Sequence, residues 1–67
     1  MMPETYSEWL VRISYSWPLA QSQGIRYGQY LYNSMPDRFL GVVPRGIDPF
    51  YDDENIVNFL NWIERHW

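Results

Sequence analysis

Apolar positions recur at helical spacing in three stretches of the chain. In the first, Tyr6, Trp9, Leu10, Ile13 and Trp17 share one side of a 3.6-residue period, and Ser7, Arg12, Ser14 and Ser16 take the other. Thr5 stands at the N-cap position with Glu8 three residues on, the reciprocal pair in which each side chain serves the other's backbone N–H. Pro18 bars the residue before it from helical angles, so the pattern predicts a helix over about Tyr6–Ser16, closed at Trp17. Residues 1–4 are expected to fray. Pro18 to Gly24 is expected to be a polar linker, with Leu19 and Ala20 stapling it to the core.

The second stretch, Ile25 to Met35, has two faces. Ile25, Gly28, Leu31, Tyr32 and Met35 fall on one side, and Arg26, Gln29, Tyr30 and Asn33 on a neighbouring one. An apolar stripe beside a row of hydrogen-bonding groups suits a central helix that ties down its neighbours by polar contacts as well as packing. Glycine in mid-helix costs about 0.8–1 kcal/mol relative to alanine, so Gly28 predicts a compensating close approach of another backbone. Pro36 ends this helix at Met35.

The third stretch carries Ile56, Phe59, Leu60, Ile63 and Trp67 as its stripe, widened by Val57 and Trp62. Asp52 or Asp53 caps it, and Arg65 and His66 lie near its negative end, where positive charge is favoured. Between the second and third stretches, Pro36 to Gly41 reads as a single helical turn stopped by Gly41. Val42-Val43-Pro44 is extended, but no second strand exists to pair with it, so it is loop. Asp48-Pro49 favours a turn, with Phe50 as its anchor on the core. The predicted fold is all-α: one compact three-helix domain with an extended loop between helices 2 and 3.

Composition changes this picture in one respect. At 67 residues the chain is near the size where a core alone supplies roughly 3–5 kcal/mol. It has no cysteine and a single histidine, so neither disulfides nor a multi-histidine metal site are available. Four Trp, six Tyr and three Phe make up for this, and they are more aromatic surface than so short a chain can hide. Tyr15, Tyr27, Tyr30, Tyr51, Trp62 and Trp67 are the surplus from which exposed contact residues are expected.

Charge removes function classes. Five arginines, no lysine and eight carboxylates give a net charge of −3, without the basic cluster that counterion release on nucleic acid requires. Nucleic acid is therefore not an expected partner, and the acidic excess is too thin for a phosphate mimic. No apolar run approaches the roughly 20 residues of a membrane span, and the N-terminus has no signal-like region, so a cytoplasmic protein is expected.

Three candidate chemistries remain. Arg26, Gln29 and Asn33 face the Asp48 loop if that loop folds back over the second helix. Arg26 is then expected to pair with Asp48 and the two amides to hold loop carbonyls. Loss of Arg26 from such a clasp is expected to cost more than about 1.5 kcal/mol. Alternatively the same side chains are exposed and contact a partner. The acidic cluster Asp48, Asp52, Asp53 and Glu54 lacks the spacing of a calcium loop and reads as helix capping. His66, near the chain end, has no nucleophile arrangement about it, so neither catalysis nor a cofactor is expected.

Arg26-x-Gly28-Gln29 followed by Asn33, then Asp48-Pro49-Phe50-Tyr51-Asp52-Asp53 and Ile56-x-x-Phe59-Leu60-x-Trp62, resembles a group of short uncharacterised proteins of bacteria and phages. Those proteins share an Arg-x-Gly-Gln helix, a variable middle and an Asp-Pro-Phe-Tyr turn before a final helix. The resemblance covers roughly residues 24–63 and carries no catalytic residue. It implies a small accessory protein, phage or prophage encoded, of the kind that inhibits or modulates a host protein. The expected function is thus a non-enzymatic protein-interaction module. Arg26, Gln29, Tyr30, Asn33, Asp48 and Tyr51 are its contact or clasp residues. Self-association through the surplus aromatics is the alternative.

Overall fold

The computed structural model describes residues 3–67. Three helices form in the predicted order: α1 (Tyr6–Ser22), α2 (Tyr27–Ser34) and α3 (Ile56–His66). Three 3₁₀ turns, Asp37–Phe39, Arg45–Ile47 and Asp53–Asn55, punctuate the long connection between α2 and α3. The first is the turn expected before Gly41, and Gly41 stops it with φ +77°. The other two were not anticipated. No strand occurs among the described residues.

The start of α1 follows the sequence closely. Thr5 Oγ1 accepts from the Glu8 N–H at 3.1 Å, and Glu8 Oε1 accepts from the Thr5 N–H at 2.9 Å. Its end does not. The helix runs through Pro18 for a further turn, to Ser22. Proline forfeits one backbone hydrogen bond here, and neighbouring contacts offset the loss. Trp17 packs edge-on against Tyr27 (4.8 Å between ring centres) and beside Tyr30 (5.4 Å), and Ala20 is buried. The stop lies at Gly24, whose φ of +79° suits glycine alone. Gly24 N–H donates to Gln21 O and Ile25 N–H to Ala20 O, the paired bonds of a Schellman ending.

The core is one cluster drawn from all three helices and the first 3₁₀ turn: Trp9, Ile13, Leu31, Met35, Phe39, Phe59, Trp62 and Ile63. Trp9 is fully buried, and its indole N–H donates to Ser34 O at 3.0 Å, so the polar edge of this large ring is satisfied. Tyr30 is fastened the same way. Its hydroxyl donates to Ile13 O at 2.7 Å and joins α2 to α1.

Both ends of the described chain are tied down, and at Glu4 this is contrary to the expected fraying. Trp67 packs against Tyr6, Trp9 and Phe39, with ring centres 5.6–6.1 Å away. Its indole N–H donates to Glu4 O at 2.8 Å. Glu4 in turn forms a two-pronged pair with Arg12, at 2.8 and 3.1 Å. The Arg12 guanidinium holds the Glu4 carboxyl below its ordinary pKa, and Glu4 raises that of Arg12. Met1 and Met2, also expected to fray, lie outside the described residues.

Candidate functional site

The polar row of α2 meets the Asp-Pro-Phe-Tyr turn, but with a different acid from the one expected. Arg26 pairs with Asp53, Nη1 to Oδ1 at 2.9 Å, and its Nη2 donates to the Phe50 carbonyl. Asp48 is taken locally: its Oδ1 accepts from the Phe50 N–H at 2.8 Å, an Asx turn that shapes the Pro49 corner. A carboxylate can close that two-residue loop at less entropic cost than the twenty-two-residue one to Arg26, which explains the exchange.

Asp53 has a second task. The same Oδ1 accepts from the Gly28 N–H at 3.1 Å. Arg26 occupies the N-cap position of α2 and gives no side-chain cap, so Asp53 supplies from another element the acceptor that the first turn lacks. Gly28 makes this approach possible. A Cβ there would meet the Pro49 carbonyl oxygen in hard contact and Asp53 Oδ1 at 2.5 Å. The close backbone approach predicted from the mid-helix glycine is therefore present, and Pro49 is its partner. Pro49 is fully buried, whereas Phe50, the expected anchor, is only half-buried.

Gln29 and Asn33 do not hold the loop carbonyls. The amide that does so is Asn55, whose Nδ2 donates to Asp48 O at 2.9 Å. Asn33 points to solvent and Gln29 is half-exposed. Tyr30 faces α1 and is not part of this surface. Tyr51 is 85% exposed, edge-on to Phe50 (4.6 Å), which is in turn edge-on to Tyr32 (5.5 Å). The structure thus gathers Arg26, Asp53, Phe50 and Tyr51 where the turn meets α2, ties Gln29 and Asn33 to no part of the turn, and leaves Tyr30 inside the fold. Sequence reasoning missed Asp53 and Pro49. The one signal that could have found them is Gly28 itself, which demands a partner without naming it.

The acidic cluster is dispersed among backbone donors. Asp48 serves Phe50, Asp52 serves the Glu54 N–H at 2.9 Å, and Asp53 serves Gly28 and Arg26. No group of three or more metal-ligating side chains comes together among the described residues. No described helix is long and apolar enough to cross a membrane. Chemically, the α2–turn face offers a protruding phenol on an aromatic stack, two carboxamides and a half-exposed ion pair. This is a set for contact and hydrogen bonding.

Comparisons with protein-family models, with curated proteins and with solved structures give no match to this chain.

Proposed function

We propose that the chain is a non-enzymatic protein-interaction module that docks on one partner protein through the α2–turn face. The observation that carries this reading is Tyr51. It is a large amphipathic side chain, 85% exposed, yet its backbone sits on a turn fixed by Arg26, Asp48 and Asn55. A tyrosine carries a large contact area with only two side-chain torsions to order on binding, which suits it to interface hot spots. Gln29 and Asn33, partly exposed and exposed on α2, are hydrogen-bonding groups available to the rim of such a contact. The resemblance to small bacterial and phage proteins gives a biological setting: a phage- or prophage-encoded inhibitor or modulator of a host defence or regulatory protein, acting in the host cytoplasm. That setting rests on association between sequences rather than on the geometry.

The test is affinity capture from a bacterial lysate with wild type and Tyr51→Ala side by side, read by mass spectrometry. The expected result is one protein enriched by wild type and depleted at least tenfold by the variant. Equal enrichment by both would remove Tyr51, and with it the α2–turn face, from the interaction.

A further inference from the structure

We infer that the groove between α3 and the Arg45–Ile47 turn binds the C-terminal end of a peptide chain whose last residue is apolar. None of the residues lining this groove belongs to the α2–turn face, and the inference does not depend on the function proposed for that face. The groove encloses about 480 Å³, within the about 300–1,000 Å³ of small-ligand sites. Asn58, Asn61 and Arg65 stand at i, i+3 and i+7 of α3 and form its polar side. Pro44 and Ile47 form an apolar wall from the other element. Trp62, one turn before Arg65 and 8% exposed, adds a further apolar edge.

The polar side has its hydrogen-bonding groups to spare. Among the described residues the only ion pairs are Arg12–Glu4 and Arg26–Asp53, so Arg65 holds no carboxylate. The only side-chain carboxamide that hydrogen-bonds within those residues is that of Asn55. Asn58 and Asn61 each therefore offer an acceptor oxygen and an NH₂ donor, the complement of a peptide unit with its one N–H and one C=O. The spacing matches an extended chain. At 1.5 Å per residue, Asn61 and Asn58 lie about 6 and 10 Å before Arg65 along the helix axis. An extended peptide advances about 3.3 Å per residue. A carboxylate held at Arg65 thus brings the peptide units two and three residues back beside Asn61 and Asn58.

The apolar groups identify that carboxylate as a chain end. Arg65 and Trp62 are neighbours on α3, so the cation and the apolar surface lie within reach of a single ligand residue. A C-terminal residue carries its α-carboxylate and its side chain on one Cα and can serve both. An internal Asp or Glu uses its side chain for the carboxylate and leaves the apolar wall uncovered. Glu64 lines the same groove and disfavours a further acidic residue in the ligand. The negative end of α3 lies close to Arg65 and reduces its pull on an anion, so the binding is weak.

Titration of the full chain with acetyl-Ala-Ala-Leu bearing a free carboxylate, followed by ¹H–¹⁵N NMR, tests this. Saturable shifts are expected at the Asn58 and Asn61 side-chain NH₂ groups, Trp62 and Arg65, with a midpoint of about 1 mM. The same peptide with an amidated C-terminus is expected to bind at least about tenfold more weakly, because the charge-assisted hydrogen bonds to Arg65 are lost. Acetyl-Ala-Glu-Leu-amide, whose carboxylate is internal, is expected to bind as weakly as the amide. Arg65→Gln, with an unchanged helical circular dichroism spectrum, is expected to weaken binding of the free acid at least about tenfold. Arg45→Gln, which removes a neighbouring arginine that does not line the groove, is expected to bind like wild type. Absence of saturable shifts at these four residues would overturn the inference. So would equal binding of the amidated or internal-glutamate peptide, or equal losses from Arg45→Gln and Arg65→Gln.

Discussion

Two regions of this molecule join segments distant in sequence, and they do so by opposite means. Around Trp67, the ends of the described chain are joined by an aromatic knot in which Trp9 and Phe39 are buried and Tyr6 and Trp67 partly so. Around Gly28, α2 and the turn before α3 are joined by a wet clasp of Arg26, Asp53, the Phe50 carbonyl and the Gly28 N–H. In the knot, Trp9 is fully buried, and its energy is that of large rings withdrawn from water. In the clasp, the Arg26 and Asp53 side chains are 45% and 47% exposed, so solvent screens their attraction. The knot therefore supplies stability. The clasp mainly supplies position: it fixes where the Phe50–Tyr51 corner stands relative to α2.

Breaking the knot has the largest expected effect. Trp9→Ala is expected to cost about 3–5 kcal/mol, as truncation of a buried tryptophan does. That equals the whole stability expected of so small a core, so the variant should lose its helical circular dichroism at room temperature. Next comes the steric centre of the clasp. Gly28→Ala gains helix propensity but forces a methyl against the Pro49 carbonyl, with an expected net loss of about 1–3 kcal/mol. Gly46→Ala is its control, because nothing stands within 4 Å of the added methyl. Its melting temperature should match wild type.

The polar part of the clasp comes third. Arg26→Ala is expected to cost about 0.5–1 kcal/mol by chemical denaturation, as exposed ion pairs do. That is below the loss of more than about 1.5 kcal/mol expected from sequence for a clasp in which Arg26 pairs with Asp48. A loss above about 2 kcal/mol would make the clasp an element of stability like the knot, and the contrast between them would fail. The smallest effect belongs to Glu4. Arg12 depresses its pKa, so its ionised form is favoured by folding. That contribution is present above the ordinary value of 4.5 and is lost as pH falls through the lowered one. Because Glu4 meets solvent, Glu4→Gln should flatten the stability–pH curve below 4.5 only slightly, as read from denaturation midpoints at successive pH values.

How far these elements could be read in advance depended on whether their causes were local. The capping box of Thr5 and Glu8, the stop at Gly41 and the apolar stripe of α3 are set within a few residues, and all three appear as expected. The run of α1 through Pro18 was not legible, because it is held by Trp17 against Tyr27 and Tyr30, residues of another helix. The later stop at Gly24 was visible as a glycine but reads equally well as linker. The clasp was half legible. Gly28 announced a close backbone, and Arg26 announced a carboxylate, but four acidic residues lie between 48 and 54. Local competition decided among them: Asp48 and Asp52 each close a two-residue turn, which leaves Asp53 free to reach α2. The anchoring role of Pro49 rather than Phe50 was set by the shape of the α2 surface at Gly28, which no pattern along the chain records.

The proposed role of the clasp is to hold out Tyr51 for a partner, while the fold itself does not need that ring. The most direct measurement pairs affinity capture by Tyr51→Ala with its thermal melt. Tyr51→Ala is expected to melt like wild type within about 0.5 kcal/mol, as for an exposed side chain, and to lose the captured protein. Full retention of the captured protein by a well-folded Tyr51→Ala would contradict it.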